Sequence, residues 1–380
     1  MADTLYLCVG QAGCSIGSAL LSSLNPDNFR YFHSQNRPNF VFADSEPRVI
    51  STLSRHQNLR SFFGSDGAST NWALGFSQDE LVESTIDGIR GAIESLDTLS
   101  SIVLTSSIMG GSGGGLMSSV VNHEDFPRVS LPLISPIALS NTTPLHSISS
   151  VLSLHVGLDY FSSCSFFDND RLFFPNDRKM KRLGVQDISF SCINKSIAQF
   201  ITHYMSPIGF FKDAFLPNFT SSSSFSMVAS EVFERTVPFM DCFSVLNDRN
   251  KSNDALKQAN SLIENLVCEL PRGVKSSSLL ALPSTTGHLY TTSSVNRVLQ
   301  TDVKTLVQPG FTSGLSLFCN VGICTTSLLH HSVRAKRAAI SGAYMHYLNE
   351  FGIEVETVLD ACRRVEEVVE NYGLTINYGD

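Results

Sequence analysis

Short apolar runs followed by glycine-rich or polar turns recur in the first part of the chain. Apolar residues dominate four segments that we predict to be buried strands, residues 5–9, 40–43, 101–107 and 128–135. Helical stretches are predicted at residues 18–24, 78–96 and 116–121. Strands that alternate with helices in this way predict an α/β fold with a parallel sheet.

The rest of the chain has a more varied pattern. Apolar residues at three- and four-residue spacing predict a long amphipathic helix at 188–204. A second, mixed domain is predicted from strands at 225–228, 279–282 and 314–319 and a helix near 252–270. Helical stretches follow at 333–347 and 358–369. We therefore divide the chain into a first domain at 1–187, a core helix at 188–207, an intermediate α/β domain at 208–325 and C-terminal helices at 326–380.

The turn after the third predicted strand is the richest in glycine. It comprises Gly110, Gly111, Ser112, Gly113, Gly114 and Gly115. Glycines lack the Cβ that would keep a ligand from the backbone, and successive N–H groups beside a helix start bind phosphate oxygens. A flexible linker has the same composition, but linkers are not usually set between a buried strand and an apolar helical stretch. No lysine follows the glycines, so we predict a phosphate-binding loop that is not a Walker P-loop.

Two further turns carry candidate chemistry. The first strand runs directly into a turn containing Gly10, Gln11 and Ala12, and strand, glycine turn and helix again predict a phosphate site. The second strand leads into Asp44 and Glu46, and two carboxylates at the end of a strand can face a metal-bound phosphate. The alternative is a pair of solvated acids in a loop, which we would favour without the neighbouring glycine turns.

Composition narrows the classes of function. Of 380 residues, 42% are hydrophobic, and the formal net charge of −8 argues against a nucleic-acid binder. Nine cysteines include no Cys-x-x-Cys pair, so we expect neither a zinc site nor a disulfide framework. The first residues lack the basic start and the apolar core that are typical of a signal peptide. No run reaches the roughly 18 apolar residues that a membrane helix needs. We therefore expect a cytoplasmic protein without a membrane partner.

Five separated motifs resemble those of the tubulin superfamily and occur in its order. They are the turn at 10–17, Asp-x-Glu-Pro at 44–47, Asn-Trp-Ala-x-Gly at 71–75, the glycine segment at 110–115 and Asp-Asn at 168–169. The resemblance implies an α/β, tubulin-like fold with a Rossmann-type parallel-sheet GTP-binding domain, a central core helix, a second mixed-sheet domain and a C-terminal helix pair. A short segment before the second strand and the missing glutamate-rich tail fit a shortened member, such as the delta, epsilon or zeta class.

The resemblance also implies roles for individual residues. The implied cofactors are GTP or GDP and Mg²⁺, with Gln11, Asp44 and Glu46 near the metal. Asn71 would hydrogen-bond the terminal phosphates, and Asn169, Phe190 and Asn194 would contact the guanine. The implied nucleotide-binding residues are Gly10, Gln11, Ala12, Asn71, Ala73, Gly75, Gly110, Gly111, Ser112, Gly113, Gly114, Gly115, Asn169, Phe190 and Asn194.

Some positions depart from the family pattern. Ser112 stands where threonine is usual, and Ser15 stands where glutamine is usual. The ribose-binding acid would fall near Thr143 or His146, and neither is a carboxylate. In filament-forming relatives, the segment that corresponds to residues 208–224 supplies a catalytic acid, which acts on the neighbouring subunit's nucleotide. Asp213 is the only acid in that segment of this sequence.

Three classes of function stay open at this point. The first is a GTP-dependent cytoskeletal subunit that assembles with itself or other tubulin subunits, with weak hydrolysis completed at the subunit contact. The second is a GTP-binding structural protein of basal bodies or centrioles that does not hydrolyse. The third is a dinucleotide oxidoreductase, suggested by the first glycine turn and by Asp44 at a strand end. The glycine segment at 110–115 has no use in that third design.

Overall fold

The predicted parallel α/β domain is confirmed. The computed structural model describes residues 3–24, 33–34, 37–51, 53, 58–170, 189–204, 239–245, 277–283, 303–308, 315–320 and 323–371. Six parallel strands lie in the order β5-β4-β1-β6-β7-β8. Their bounds are β1 Asp3–Val9, β4 Phe40–Asp44, β5 Arg60–Phe63, β6 Leu99–Ser106, β7 Pro132–Ile137 and β8 Ser163–Asp168, while β2 His33–Ser34 and β3 Arg37–Pro38 form a small separate hairpin.

Apolar side chains cover both faces of this sheet, which explains the near-continuous apolar runs. In β1, Leu5 and Leu7 enter one buried cluster, and Tyr6 and Cys8 enter another on the opposite face. This follows from the strand geometry, because successive side chains point to opposite faces. A parallel sheet covered on both faces places its loops at the two ends of the strands, and ligands bind at the carboxyl ends.

Helices cover the two faces of the sheet. Those in the first 170 residues are α1 Gly10–Ser23, α2 Pro47–Ser51, α3 Trp72–Phe76, α4 Asp79–Ile93, α5 Met117–Asn122 and α6 Pro144–Gly157. The helix predicted at 78–96 is confirmed as α4. The core helix predicted at 188–204 is described as α7, Phe190–Tyr204, and its apolar residues share a cluster with those of α1.

The start of α1 differs from the sequence prediction. We expected a glycine turn before a helix at residue 18, but α1 begins at Gly10, directly after β1. Gly10 has a φ of +72°, a left-handed conformation that glycine adopts without strain and that lets the chain turn at once. A Cβ on Gly13 would overlap the Thr105 carbonyl oxygen. Two of the predicted turn glycines therefore serve the abrupt start of the helix and its close packing against β6.

Four further strands extend the sheet from β8. Their bounds are β9 Phe239–Val245, β10 Ser277–Pro283, β11 Val303–Gln308 and β12 Leu315–Asn320. They continue in the order β8-β9-β12-β10-β11, with parallel and antiparallel pairs. The mixed directions agree with the sequence expectation, although β2, β3, β5, β8, β9 and β11 were not predicted. The predicted strand at 225–228 and helix at 252–270 lie outside the described residues, and the division into domains stays a prediction.

The C-terminal part is helical, as predicted. Its helices are α8 Ile323–Ile340, α9 Met345–Asn349 and α10 Val355–Asn371. Both α8 and α10 pack against α6, and their apolar residues belong to the same cluster as one face of the sheet. Within the described ranges, none of the helices is long and apolar enough to cross a bilayer.

Candidate nucleotide-binding site

The glycine segment forms a π-helical turn, Gly111–Leu116, between β6 and α5. Buried hydroxyls fix it from behind, because Ser106 Oγ donates to the Gly113 carbonyl at 2.6 Å and Ser118 Oγ donates to the Gly114 carbonyl at 2.7 Å. The first N–H groups of a helical turn have no partner within the helix. Here the Gly111 N–H already donates to the Ser69 carbonyl at 2.8 Å. The N–H groups of Ser112 and Gly113, which follow it at the carboxyl ends of the parallel strands, are the ones that can bind an anion.

Three neighbouring loops touch this segment. A Cβ on Gly10 would lie 2.6 Å from the Gly113 nitrogen, and one on Gly75 would overlap the Gly111 carbonyl. The Ser45 and Ser112 hydroxyls are hydrogen-bonded to each other. The loops that follow β1, β4 and β5 therefore meet the loop that follows β6, as the sequence predicted.

Gly110 differs from the other glycines of the segment. A Cβ on Gly110 would have no neighbour nearer than the Gly113 nitrogen at 3.8 Å, whereas one on Gly111 would lie 2.5 Å from the Ala68 carbonyl. A Cβ on Gly113 would overlap the Ser107 carbonyl. The segment therefore packs tightly against the protein behind it and leaves space in front of Gly110, as a phosphate cradle requires.

Asp44 is the buried acid of the site. Its Oδ1 accepts the Glu46 N–H at 3.0 Å, while its Oδ2 is buried and has no hydrogen-bond partner in the described part of the chain. Burial raises the pKa of the Asp44 carboxyl from 3.8 to about 6. Glu46 and Gln11 are exposed. One buried carboxylate and one exposed carboxylate fit Mg²⁺, which is usually held by one or two carboxylates together with substrate phosphates.

Asn71 has a structural task in this conformation. Its Oδ1 accepts the N–H of Ala73 at 3.1 Å and of Leu74 at 3.4 Å, so it caps the N-terminus of α3. Its Nδ2 donates to the Tyr347 carbonyl at 3.2 Å, which joins this loop to α9. Ala73 is buried with its helix beneath the glycine segment. Contact of Asn71 with phosphate stays a prediction.

The predicted base-binding residues lie on β8 and α7. Asn169 directly follows β8, and its Oδ1 is buried without a hydrogen-bond partner in the described residues. Phe190 is 66% exposed, and Asn194 is half-buried one turn later on α7. An unpaired amide oxygen can accept from the N–H groups of a base edge, and an exposed ring can stack on a base. The fit supports the predicted roles without testing them.

The expected position of a ribose-binding acid is occupied by a helix cap. His146 Nδ1 accepts from the Thr143 backbone N–H at 3.1 Å and lies 2.9 Å from the Thr143 hydroxyl. Asp159, the nearest acid in sequence, lies beyond the opposite end of α6 and pairs with Arg364. That contact lowers the pKa of the Asp159 carboxyl. Asp159 is therefore not part of this edge of the sheet.

Sequence analysis missed three side chains that fix the segment between β7 and α6. Asp170 accepts the Leu139 and Ser140 N–H groups at 2.6 and 2.8 Å. His331 Nε2 donates to the Ala138 carbonyl at 2.9 Å, and Arg334 donates to the hydroxyl and carbonyl of Thr142, each at 2.7 Å. Only the position of Asp170, directly after the Asp-Asn motif, offered a signal. The predicted catalytic Asp213 lies outside the described residues.

These features define a class of protein. An open parallel sheet carries two glycine turns in direct contact at the carboxyl ends of its strands, with a buried carboxylate beside them. Such a site binds the phosphates of a nucleotide through backbone N–H groups rather than through the lysine of a Walker P-loop.

Comparison with known proteins shows which family this part of the chain resembles. Residues 4–174 match the family model described as Tubulin/FtsZ family, GTPase domain. The chain is 26% identical over 250 residues to the tubulin alpha-3 chain of Saccharomyces cerevisiae, which covers 55% of each chain. It is 29% identical over 188 residues to the tubulin gamma chain of Caenorhabditis elegans, covering 46% of this chain and 42% of that one. The tubulin beta-1 chain of Mus musculus is 30% identical over 149 residues, covering 36% and 33%.

Over residues 4–174 the chain therefore resembles the GTPase domain of the tubulin superfamily, at low identity to individual tubulin chains. The match spans about half the length of the yeast relative and less of the other two.

Proposed function

We propose that this protein binds GTP and GDP with Mg²⁺ and acts as a cytoskeletal subunit that assembles with copies of itself or with other tubulin subunits. The observation that carries the nucleotide proposal is the contact of the two glycine turns at Gly10 and Gly113, next to the buried and unpaired Oδ2 of Asp44. The relatives' names support the cytoskeletal assignment, since each is a tubulin chain.

Each loop has a separate task in this proposal. Backbone N–H groups of the glycine segment and of the α1 start bind the phosphates, while Asp44 and Glu46 hold the metal, assisted by Gln11. Mg²⁺ supplies positive charge next to the phosphate oxygens. Asn169 and Asn194 select guanine by hydrogen bonds, and Phe190 stacks on the base. Leaving a buried base edge unpaired costs about 1–3 kcal/mol, which would disfavour ATP.

Hydrolysis is expected to be weak and to depend on contact between subunits. Phosphoryl transfer to water depends on positioning and on charge around the leaving phosphate, so the site needs an acid that orients the water. Asp213 is the proposed acid, and it would act on the nucleotide of the neighbouring subunit.

The test measures GTP turnover per subunit over a wide range of protein concentration. We expect turnover to rise with concentration and to fall in Asp213→Ala, with GTP affinity unchanged. Lys212→Ala is the matched control, because it alters the adjacent side chain and keeps the acid. Turnover that stays equally fast in dilute protein would contradict the shared site, and stimulated turnover that survives Asp213→Ala would move the catalytic acid elsewhere.

The same turnover experiment, together with a parallel binding assay with NAD, separates the other functions. GTP binding without turnover at any concentration would favour a non-hydrolysing structural protein of basal bodies or centrioles. Binding of NAD in place of GTP would favour an oxidoreductase and would reject the proposed function.

A further inference from the structure

One buried hydroxyl joins three of the loops around the glycine segment. Ser45 is fully buried, directly after β4 and between Asp44 and Glu46. Its Oγ accepts the Ala68 N–H at 2.9 Å and is hydrogen-bonded to Ser112 Oγ. Ser45 thereby connects the end of β4, the loop before α3 and the glycine segment through a single oxygen atom.

The number of hydrogens in this pair restricts what it can do. A serine hydroxyl has one hydrogen to donate and two lone pairs to accept with. The bond between Ser45 and Ser112 uses one of their two hydrogens, and the Ala68 N–H occupies one lone pair of Ser45. One hydroxyl hydrogen is therefore left over, and the residue that carries it depends on the direction of the bond between the two hydroxyls. The Asp44 carboxyl, whose pKa is raised by burial and lowered by interaction with both hydroxyls, competes with a phosphate for this hydrogen.

An anion in front of the glycine segment would select one direction. Ser112 belongs to the π-helical turn that directly follows Gly110, in front of which the space is open, whereas Ser45 is fully buried and already accepts from Ala68. When Ser45 donates to Ser112, the Ser112 hydrogen becomes available for a phosphate oxygen. In the opposite direction, Ser112 spends its hydrogen on Ser45 and offers the phosphate only lone pairs, which repel it.

We propose that Ser45 is a positioning residue that donates to Ser112 and so directs the Ser112 hydroxyl hydrogen at a phosphate oxygen of the bound nucleotide. This inference rests on the proposed function. Ser45 acts only through Ser112 and does not itself touch the nucleotide. Its effect therefore requires the Ser112 hydroxyl.

The test is a cycle of Ser45→Ala, Ser112→Ala and the double variant, with affinity for Mg²⁺–GDP measured in each. Ser112→Ala should weaken binding about tenfold or more, the size of one lost hydrogen bond to a charged group. Ser45→Ala should weaken it to a smaller extent, and the double variant should bind like Ser112→Ala alone. The ³¹P resonance of GDP at saturation, which does not depend on affinity, should shift in both single variants.

A control separates phosphate orientation from the general effect of losing a buried hydroxyl. Thr85→Ala removes a buried hydroxyl that donates to the Leu81 carbonyl within α4 at 2.7 Å, so it should lower stability and leave the ³¹P resonance in place. Ser45→Thr keeps the hydroxyl of the positioning residue, so it should bind GDP more tightly than Ser45→Ala does.

Two results would overturn the inference while leaving the nucleotide site intact. One is a Ser45→Ala protein whose affinity and ³¹P resonance equal those of the parent. The other is a double variant whose loss is the product of the two single losses, because Ser45 would then act without Ser112. Failure of the parent itself to bind GDP would reject the proposed function and this inference together.

Discussion

Two unpaired acceptors mark the candidate site at the scale of single residues. Oδ2 of Asp44 and Oδ1 of Asn169 are both buried, and neither has a hydrogen-bond partner in the described structure. Burying a polar atom without a partner costs about 1–3 kcal/mol, so most such atoms in proteins are satisfied. A cation beside Asp44 and a base edge beside Asn169 would satisfy both atoms. Of the six buried polar atoms without a partner in the described structure, these are the two that the proposed ligand would satisfy.

The raised pKa of Asp44 leads to a prediction for the protein without nucleotide or metal. A folded-state pKa of about 6, above the ordinary 3.8, means that the Asp44 contribution to stability is full below about pH 4 and is lost as pH rises through about 6. The expected loss from this residue is about 3 kcal/mol. The free energy of unfolding in urea, measured between pH 4 and 7, should lack this pH-dependent loss in Asp44→Asn. An Asp44→Asn protein with the same pH dependence as the parent would show that the carboxyl titrates normally.

At the scale of elements, α8 holds the segment between β7 and α6. Burial lowers the pKa of His331 to about 4, so its ring is neutral at pH 7. Nε2 donates to the Ala138 carbonyl, and Nδ1 then accepts from the Ser147 hydroxyl at 3.0 Å. This arrangement requires a neutral imidazole. Arg334 adds its two bonds to Thr142 on the next turn of α8. α8, which lies more than 180 positions further along the chain, therefore fixes a loop beside the candidate nucleotide-binding site.

His331 should give the opposite pH dependence from Asp44. Burial lowers the pKa of His331 from 6.5 to about 4, so its stabilising contribution is complete above about pH 6.5 and is lost as pH falls towards 4. The expected size is about 3 kcal/mol. The glutamine of His331→Gln can still donate and accept hydrogen bonds, but it does not titrate. The free energy of unfolding of this variant, measured from pH 4 to 7, should therefore lack the pH dependence that His331 causes. The exposed neighbour His330→Gln should behave like the parent, and an unchanged slope in His331→Gln would contradict the assignment.

These elements show what could and could not be predicted from the sequence. The central strands were predictable because a parallel sheet buried on both faces needs continuous apolar runs, as at 40–43. The convergence of the loops followed from their shared position after those strands. The bond between His331 and Ser147 joins residues 184 positions apart, and no local pattern indicates it. The contacts of Ser45 could not be predicted for the same reason, because its partners Ala68 and Ser112 belong to two other loops.

At the scale of the whole molecule, the C-terminal helices contact the elements that carry the candidate nucleotide-binding site. The Tyr347 carbonyl of α9 accepts from Asn71, and α8 and α10 pack on α6. The only tryptophan, Trp72, lies within this connection. It is buried and its ring stacks on Phe76 at 4.6 Å, and a Cβ on Gly115 would overlap the Trp72 carbonyl oxygen. The fluorescence of Trp72 should therefore respond when a nucleotide occupies the glycine segment.

The most direct test is a titration of nucleotide-stripped protein with Mg²⁺–GTP, followed by Trp72 fluorescence. Gly110→Val places a branched side chain in the open space where phosphate is expected, and the φ of −98° and ψ of 168° at Gly110 suit valine. Gly91→Ala is the control, because a Cβ there meets nothing within 4 Å. We predict saturable GTP binding by the parent and by Gly91→Ala, weaker binding of ATP, and no binding by a folded Gly110→Val. Equal affinity for GTP and ATP in the parent, or normal GTP binding by Gly110→Val, would contradict the guanine-nucleotide site.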